Sequence, residues 1–286
     1  MRLLESRIWG GLMTFSVSVV EFFVHSNLFI SIAATSVAFS TIRLLGLSPD
    51  PIALFIVFAA TLFVYSLNRI TDIEEDETNL PNRAAFTEQY GKLLFAIGIV
   101  LYLAVIAGGV WFGIRGAPFL VLPAVVAALY SLFRVKQLLL VKNLIVGVSW
   151  GIIPLGVGIY YGVDFQTEVV VLAGFFTVMV TVAAAVFDIK DIEGDREEGI
   201  RTAPIVYGVA ATKRGAMMIK LCVAVVAIVL VGGRIVPQRF LVLLGFLAYI
   251  AVYILFATRD RGSLFYGFII DGEHVFLAGV ILITGV

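Results

Sequence analysis

Residues 51–83 read PIALFIVFAATLFVYSLNRITDIEEDETNLPNR. Pro51 to Leu67 is a predominantly apolar run, and a bilayer core of about 30 Å needs roughly 20 such residues in a helix. The run leads straight into Asp72, Glu74, Glu75, Asp76 and Glu77. A dense negative cluster therefore sits where a buried helix leaves lipid, and carboxylates there need a partner or a purpose. A second copy follows downstream as DIKDIEGDREEGIR, Asp188 to Arg201, again at the end of a long apolar run. Aligning DIEED (72–76) on DIEGD (191–195) gives one offset of 119 residues for both aspartate pairs. The chain reads as a single domain over 1–286 with an internal pseudo-repeat, one acidic motif per half (68–83 and 188–201).

The rest of the composition agrees with that reading. Of 286 residues, 61% are hydrophobic and 14% charged, and mean hydropathy is +1.06, outside the range of soluble domains. The fold class expected is all-α, a polytopic membrane protein; the alternating ten-residue segments of a β-barrel are absent. The lone cysteine, Cys222, permits no disulfide framework or cysteine metal site and reads as a packing residue. No removable signal peptide is expected. Residues 1–24 mix Arg2, Glu5, Arg7 and Glu21 with Trp9, Phe15, Phe22 and Phe23, the pattern of an interfacial amphipathic helix.

Nine transmembrane helices are expected after it, at about 25–45, 51–71, 91–113, 117–133, 141–161, 168–189, 216–233, 238–257 and 266–286, with Gly and Pro marking the breaks. Of the 20 Lys and Arg, four (Arg43, Arg115, Arg234, Arg239) fall on one side of those spans and the other sixteen on the opposite side. The positive-inside rule makes the richer side cytoplasmic, with both acidic motifs and the N-terminus on it. The expected localisation is the cell membrane, multi-pass.

Asn68, Asp72 and Asp76 are spaced i, i+4, i+8, and Asp188, Asp191 and Asp195 i, i+3, i+7, so each set shares a helical face. Hard oxygen ligands without His or Cys favour Mg²⁺, which commonly takes one or two carboxylates plus substrate phosphate oxygens. Two carboxylate stripes can face each other only with cations between them. A metal-bridged phosphate ligand satisfies that condition, and Arg83, Arg134, Lys136, Lys142 and Arg201 are candidates for its remaining charge. Either motif alone reads as a solvated loop; two at matched offset argue for a site. Glu74, Glu75, Glu77, Glu197 and Glu198 lie outside the matched rows and are assigned to solvated loops; Asp271 and Glu273 in IIDGEH, near the start of the ninth span, could reach the cytoplasmic mouth, but a loop role is the better reading. His25 and His274 read as interface or packing residues.

Asn68-x3-Asp72-x3-Asp76 with Asn79-x-Pro81-x-Arg83 resembles the first signature (NDxxDxxxDxxNxPxR) of the UbiA superfamily of intramembrane prenyltransferases. Asp188-x2-Asp191-x3-Asp195, followed by Gly199 and Thr202-Ala203-Pro204, resembles its second, and Tyr130-Ser131-x2-Arg134 with Lys142-Asn143 resembles its tyrosine and basic segment. The chain departs from the pattern at Arg69, where Asp is frequent, at Arg134, where Lys is common, and at Ser26-Asn27, where Arg-Pro is expected. The resemblance implies a helix bundle around a central cavity with cytoplasmic cap loops. It implies a Mg²⁺-bound polyprenyl diphosphate held through Asn68, Asp72, Asp76, Asp188, Asp191 and Asp195, with Arg83, Arg134, Lys142 and Arg201 on the diphosphate. Asp72, Asp191 and Tyr130 are the residues expected to carry catalysis: departure of diphosphate leaves an allylic carbocation, which a lipophilic acceptor attacks while a base removes the spare proton. Tyr130 would shield the cation or aid proton loss; an interfacial aromatic anchor is the plainer reading.

The acceptor stays open among a quinone precursor, a glycerol-phosphate ether lipid and a tetrapyrrole. A simple aromatic acid calls for a cationic pocket, and Arg43 lies on the wrong side to supply one. Membrane lipids are the other expected partners, and no nucleic acid is expected. The competing class is a cation or solute transporter, weakened because the acids cluster at one face rather than at span centres. A CDP-alcohol phosphotransferase also uses paired aspartates, but its DG-x2-AR motif is missing.

Overall fold

A computed structural model of the chain describes residues 19–132, 139–197, 199–262 and 264–286, with side chains throughout except at 75, 78, 79 and 129–132. The described residues form helices and connecting turns, without strands. In order these are α1 (Val19–His25), α2 (Leu28–Leu44), α3 (Pro51–Thr71), α4 (Ile73–Asn79), α5 (Pro81–Trp111), a 3₁₀ turn (Ala117–Val121), α6 (Leu122–Leu132) and α7 (Val141–Tyr161). The second half runs α8 (Thr167–Phe187), α9 (Ile192–Glu197), α10 (Ala203–Tyr207), α11 (Val209–Gly232), a 3₁₀ turn (Gln238–Leu241), α12 (Val242–Phe256), a π-helical segment (Phe265–Ile270) and α13 (Glu273–Thr284).

A helical segment stands at each of the nine expected positions. Among the described residues seven are long and apolar enough to cross a membrane, eight if α1 and α2, bent by 71°, count as one. The fourth expected span appears as the short pair of the first 3₁₀ turn and α6, below spanning length by itself. The interfacial reading of 1–24 falls mostly outside the described residues. Large apolar side chains on the outer helices stay uncovered by protein, among them Val100, Leu103 and Val110 on α5 and Leu221, Val225 and Val229 on α11. Exposed apolar surface of this extent belongs against lipid; the chain is a multi-pass membrane protein. Cys222, expected to pack, lies exposed on α11.

Local sequence explains the joints. Asp50 caps α3, its carboxylate accepting the Ile52 N–H at 2.8 Å, with Pro51 at the first helical position. The break between α1 and α2 falls on Asn27, held at φ 62° in the left-handed region that Asn tolerates. Helices α7 and α8 approach closely because Gly147 and Gly151 offer no side chain: a Cβ at either would overlap the Thr181 or Thr177 side chain and backbone carbonyls of α8. On the other flank, a Cβ at Gly98 of α5 would lie 3.1 Å from the Phe63 Cα of α3. Helix α8 is the most enclosed span, and its Phe176 and Met179 meet Phe246 and Ile250 of α12 and Leu277 of α13 in the core.

Hydrogen bonds define two ends. At one, Arg43 Nε donates to the Val286 carbonyl at 3.0 Å, Arg239 to the Leu44 carbonyl and Tyr160 to Asp50 at 2.6 Å, and Arg115 pairs with Asp164. At the other, Lys213 Nζ bonds the Leu255 and Ala257 carbonyls, and Tyr266 OH the Thr258 carbonyl. Both acidic motifs belong to this second end, next to Lys142 and Arg83.

Candidate active site

Neither motif is one continuous helix, and for the second this corrects the single-face reading. Helix α3 stops at Thr71, Asp72 sits at the joint with φ −107° and ψ 18°, and α4 restarts at Ile73. Backbone bonds from Asp72 to Asn68, Asp76 to Asp72 and Leu80 to Asp76 nonetheless carry the i→i−4 ladder across, so the first row stays in register. In the second motif Asp188 caps α8, a turn intervenes, and α9 begins at Ile192. Its three acids therefore divide between two neighbours, Asp188 and Asp195 on Lys142 and Asp191 on Lys190.

Asp76, 3% exposed, takes both ends of the Arg83 guanidinium, with Nε at 2.9 Å, and lies 3.5 Å from Arg69. Asp188 accepts from Asn143 Nδ2 at 2.9 Å and meets Lys142 Nζ at 3.0 Å. Asp195 lies 3.4 Å from the same ammonium. Asp191 instead pairs with Lys190 at 2.6 Å and stands within electrostatic reach of Arg83. Helix α4 packs on α9, so Asp76 and Asp191 come together through Arg83. Asp72 is half-buried and accepts from the Thr71 hydroxyl at 3.4 Å.

Burial dominates the charge states. It pushes the Asp195 carboxyl up to about 7, with Lys142 opposing and Asp188 and Asp191 adding to the rise. Burial likewise raises Asp188 against the pull of Lys142 and Asn143, and lowers the Lys190 ammonium against Asp191. Each desolvated acid is kept next to a cation because an isolated buried charge is prohibitive.

Of the cations expected on diphosphate, Arg83 and Lys142 are in this cluster, and Arg201 is exposed in the segment after α9. Arg134 lies outside the described residues. Tyr130 belongs to α6, and its side chain lies outside the described ones.

The structure adds residues that sequence reasoning left aside. Arg69, Lys190, His25 and Asn27 join Arg83 around a polar cavity of about 50 Å³, together with Tyr65, Tyr266 and Asp271. The loop assignment of Asp271 and Glu273 is thereby corrected. Asp271 follows the π-helical segment and lines the cavity, and Glu273 is 1% exposed, accepting the Tyr253 hydroxyl at 2.8 Å. The signal was present: acids inside an apolar segment are rarely idle.

Tyr65 connects this cavity to a larger one of about 650 Å³, lined mainly by apolar side chains of α3, α6 and α7. The Trp150 indole donates to the Tyr65 hydroxyl at 3.1 Å, fixing the ring between the two spaces. From Ala53 to Tyr65 the larger cavity follows α3 for about 18 Å at 1.5 Å per residue.

The donor chemistry suits a hard cation. All the motif ligands are oxygens, and the buried amide oxygens of Asn68 and Asn143 have no hydrogen-bond partner, the condition of groups awaiting a ligand. Among the described residues no three carboxylates or imidazoles stand close enough to form a preassembled metal cage, so a ligand's own oxygens have to complete the shell, as Mg²⁺ allows.

Apolar helices enclosing a deep apolar cavity, with two acidic joints packed together at one end, define a polytopic membrane protein built around a ligand site. Residues 11–270 match the UbiA prenyltransferase family, and the chain belongs to it. It is 28% identical over 164 residues to the digeranylgeranylglyceryl phosphate synthase of Methanosphaera stadtmanae (57% of this chain, 58% of that protein). It is 28% identical over 189 residues to the homogentisate phytyltransferase of Synechocystis (59% and 61%). The chain thus spans less than two thirds of the length of either relative. The match to the digeranylgeranylglyceryl phosphate synthase of Thermococcus kodakarensis is longer, 29% over 242 residues (79% and 81%). Among solved structures, a UbiA homolog from Archaeoglobus fulgidus bound to DMAPP and Mg²⁺ superposes with a TM-score of 0.64 at 11% identity over 92% of this chain and 99% of that one. The apo UbiA homolog from Aeropyrum pernix gives 0.60 at 18%, over 93% and 99%. These two likenesses establish the fold.

Proposed function

We propose that the chain is a Mg²⁺-dependent intramembrane prenyltransferase that moves a prenyl group from a polyprenyl diphosphate to a lipophilic acceptor. The observation that carries this reading is the packing of α4 on α9, which sets both acidic joints around shared cations beside a cavity that meets an apolar chamber at Tyr65. Asn68, Asp72, Asp76, Asp188, Asp191 and Asp195 are the residues that would hold the metal, which when bound neutralises diphosphate charge. The orphan oxygen of Asn68 and the bound Mg²⁺ of the Archaeoglobus homolog support that assignment.

Arg83 and Lys142 serve as counterions to Asp76, Asp188 and Asp195. With a divalent ion held by those acids, the two cations would be free to face the leaving diphosphate, and Arg134 and Arg201 are the further candidates for its charge. The bond between prenyl C1 and the diphosphate oxygen breaks with its electron pair on the oxygen, and preorganised positive charge favours that departure. The prenyl tail would occupy the chamber, whose described walls are mainly apolar and so offer few nucleophiles to quench the cation, with Tyr130 the candidate to shield it. Relatives are named for digeranylgeranylglyceryl phosphate and for homogentisate, which supports a glycerol-phosphate ether lipid or a quinone-precursor ring as acceptor. The unit is one domain of nine helices around the cavity, with its site on the cytoplasmic face by the distribution of Lys and Arg. A transporter is the weaker reading, since the motif acids are held at one end by buried cations rather than strung along a path.

The test uses the protein in lipid nanodiscs with labelled geranylgeranyl diphosphate. Binding that needs Mg²⁺ and disappears with EDTA supports the reading. Donor binding indifferent to EDTA, or Asp76-dependent cation uptake into proteoliposomes, removes it.

A further inference from the structure

A buried Glu–His pair lies inside the apolar span Phe265–Thr284, apart from both acidic motifs. Glu273 is 1% exposed and His274 3%. Ionisable side chains at that depth carry a desolvation cost that Leu or Phe would avoid, which points to a task. One Glu273 carboxylate oxygen accepts the Tyr253 hydroxyl at 2.8 Å, and the other stands 3.4 Å from His274 Nε2. The imidazole Nδ1 has no hydrogen-bond partner. What holds the ring is therefore Glu273 at its edge and stacking on Trp150 and Phe246, with centroids 4.7 Å and 5.6 Å away. Trp150 passes the constraint on, since its indole N–H donates to the Tyr65 hydroxyl at 3.1 Å. Side chains of α13, α7 and α3 thus form one row, from a buried carboxylate to the ring that lines both cavities. Tyr65 stands three residues ahead of Asn68, outside the first acidic signature. Its place is nonetheless decisive. A prenyl diphosphate with its head at Arg83, which lines the polar cavity, and its tail in the apolar chamber passes its first carbon beside Tyr65. An aromatic face carries negative charge and attracts a cation within about 6 Å, provided the face is held toward it.

We propose that Tyr65 is a catalytic residue whose ring meets the allylic cation, and that Trp150, His274 and Glu273 are positioning residues that hold the ring in place. The inference rests on the prenyltransferase reading. It concerns the first step alone. The bond from prenyl C1 to the diphosphate oxygen breaks with its electron pair on the diphosphate, and the positive charge left behind spreads over C1 and C3. The Tyr65 ring stabilises that charge without forming a bond or taking a proton. A ring free to turn would present its edge as often as its face, so the tether from Glu273 through His274 and Trp150 is what makes the stabilisation available when the charge develops.

The experiment uses the full chain in nanodiscs with Mg²⁺. Donor affinity is read with an unreactive prenyl thiolodiphosphate. Turnover is read as release of diphosphate from labelled geranylgeranyl diphosphate, with geranylgeranylglyceryl phosphate and homogentisate both supplied as acceptors. Tyr65 is replaced by Phe and by mono-, di- and trifluorinated phenylalanine, rings of similar volume and falling electron density. Across that series kcat should drop with each fluorine, by roughly 3- to 30-fold in total, while the donor Kd stays within about twofold. Trp150→Phe and Tyr65→Phe remove opposite ends of one hydrogen bond, so the double variant should lose little more than either alone. His274→Leu should lower kcat and flatten the fluorine dependence, and His274→Phe, which keeps a stacking ring, should restore both. Glu273→Leu should act in the direction of His274→Leu, and Glu273→Gln, which still accepts the Tyr253 hydroxyl, should act less. A kcat indifferent to fluorination, independent losses in the double variant, or a donor Kd that weakens in step with kcat overturns the assignment. So does a wild type that binds the analogue and releases no diphosphate. If the Glu273 and His274 variants do not fold, the fluorine series and the double variant decide, since both leave that pair in place. A wild-type protein that fails to bind the thiolodiphosphate at all refutes the prenyltransferase reading instead.

Discussion

Replacing Asp195 by Asn isolates the tension between stability and ligand binding. The Asp195 side chain is 1% exposed beside Lys142, yet burial lifts its carboxyl from the ordinary 3.8 to about 7. Between those two pH values the folded protein keeps a proton that the unfolded chain has lost, so stability falls as pH rises through the window. Above pH 7 the accumulated cost is about 4 kcal/mol, at ~1.36 kcal/mol per pH unit. An amide of the same shape carries no such cost, and Lys142 keeps Asp188 at 3.0 Å as its counterion. In EDTA at pH 8, Asp195→Asn should therefore melt above wild type, by something on the order of 10 °C at ~2–4 °C per kcal/mol. At pH 5 the gap should narrow to a few degrees, closing only near pH 4. The assay is thermal unfolding in detergent followed by intrinsic fluorescence, alongside Mg²⁺-dependent donor binding, which the variant should lose. A variant less stable than wild type at pH 8 would refute the reasoning, because the contact with Lys142 would then outweigh the burial of the carboxylate.

Asp72→Asn and Asp191→Asn should each lower turnover by orders of magnitude while leaving the melting temperature near wild type; intact turnover in either would remove it from the metal site. Gly151→Leu should push α7 away from α8, where even a Cβ meets Thr177 and the Ala173 carbonyl; overpacking of this kind costs about 1–3 kcal/mol or more, visible as a lower melting temperature and reduced yield. Ala60→Phe narrows the apolar chamber in its middle reach. It should raise KM for C20 donors at least several-fold and leave dimethylallyl diphosphate unaffected, and equal effects on both donors would place the tail elsewhere.

The helices were legible because each span announces itself by length and apolarity and each break by Gly, Pro or Asn: α3 and α7 begin and end where the sequence placed them. The fourth expected span was less so, since the apolar run from Ala117 begins as a 3₁₀ turn, a distinction that hydropathy averages away. The acidic rows were legible as residues but not as directions. A spacing of i, i+3, i+7 fixes a shared face only on an unbroken helix, and the turn after Phe187 lets Asp188 face Lys142 while Asp191 faces Lys190.

Asp271 and Arg69 were illegible for a different reason. Their meaning depends on α3 and α13 meeting at the same end of the bundle, a contact between distant segments that no local period encodes. The same topology decides how charge is arranged in the resting site. Every motif acid that is nearly buried already has a basic partner, Asp76 with Arg83 and Asp188 and Asp195 with Lys142. Facing carboxylates could not be carried into a membrane protein otherwise. On the proposed reading, a divalent cation entering with an anionic ligand would substitute for those partners without leaving any acid uncompensated, and would free the partners to face the ligand. Lys142 is the sharpest case, since one ammonium bridges two acids raised by burial. In Lys142→Met both should tend to hold protons near neutral pH, and the Mg²⁺ concentration needed for half-maximal donor binding should climb as pH falls from 8 to 6, more steeply than in wild type. An equal dependence in the two proteins would mean that Lys142 is not the ion that metal displaces.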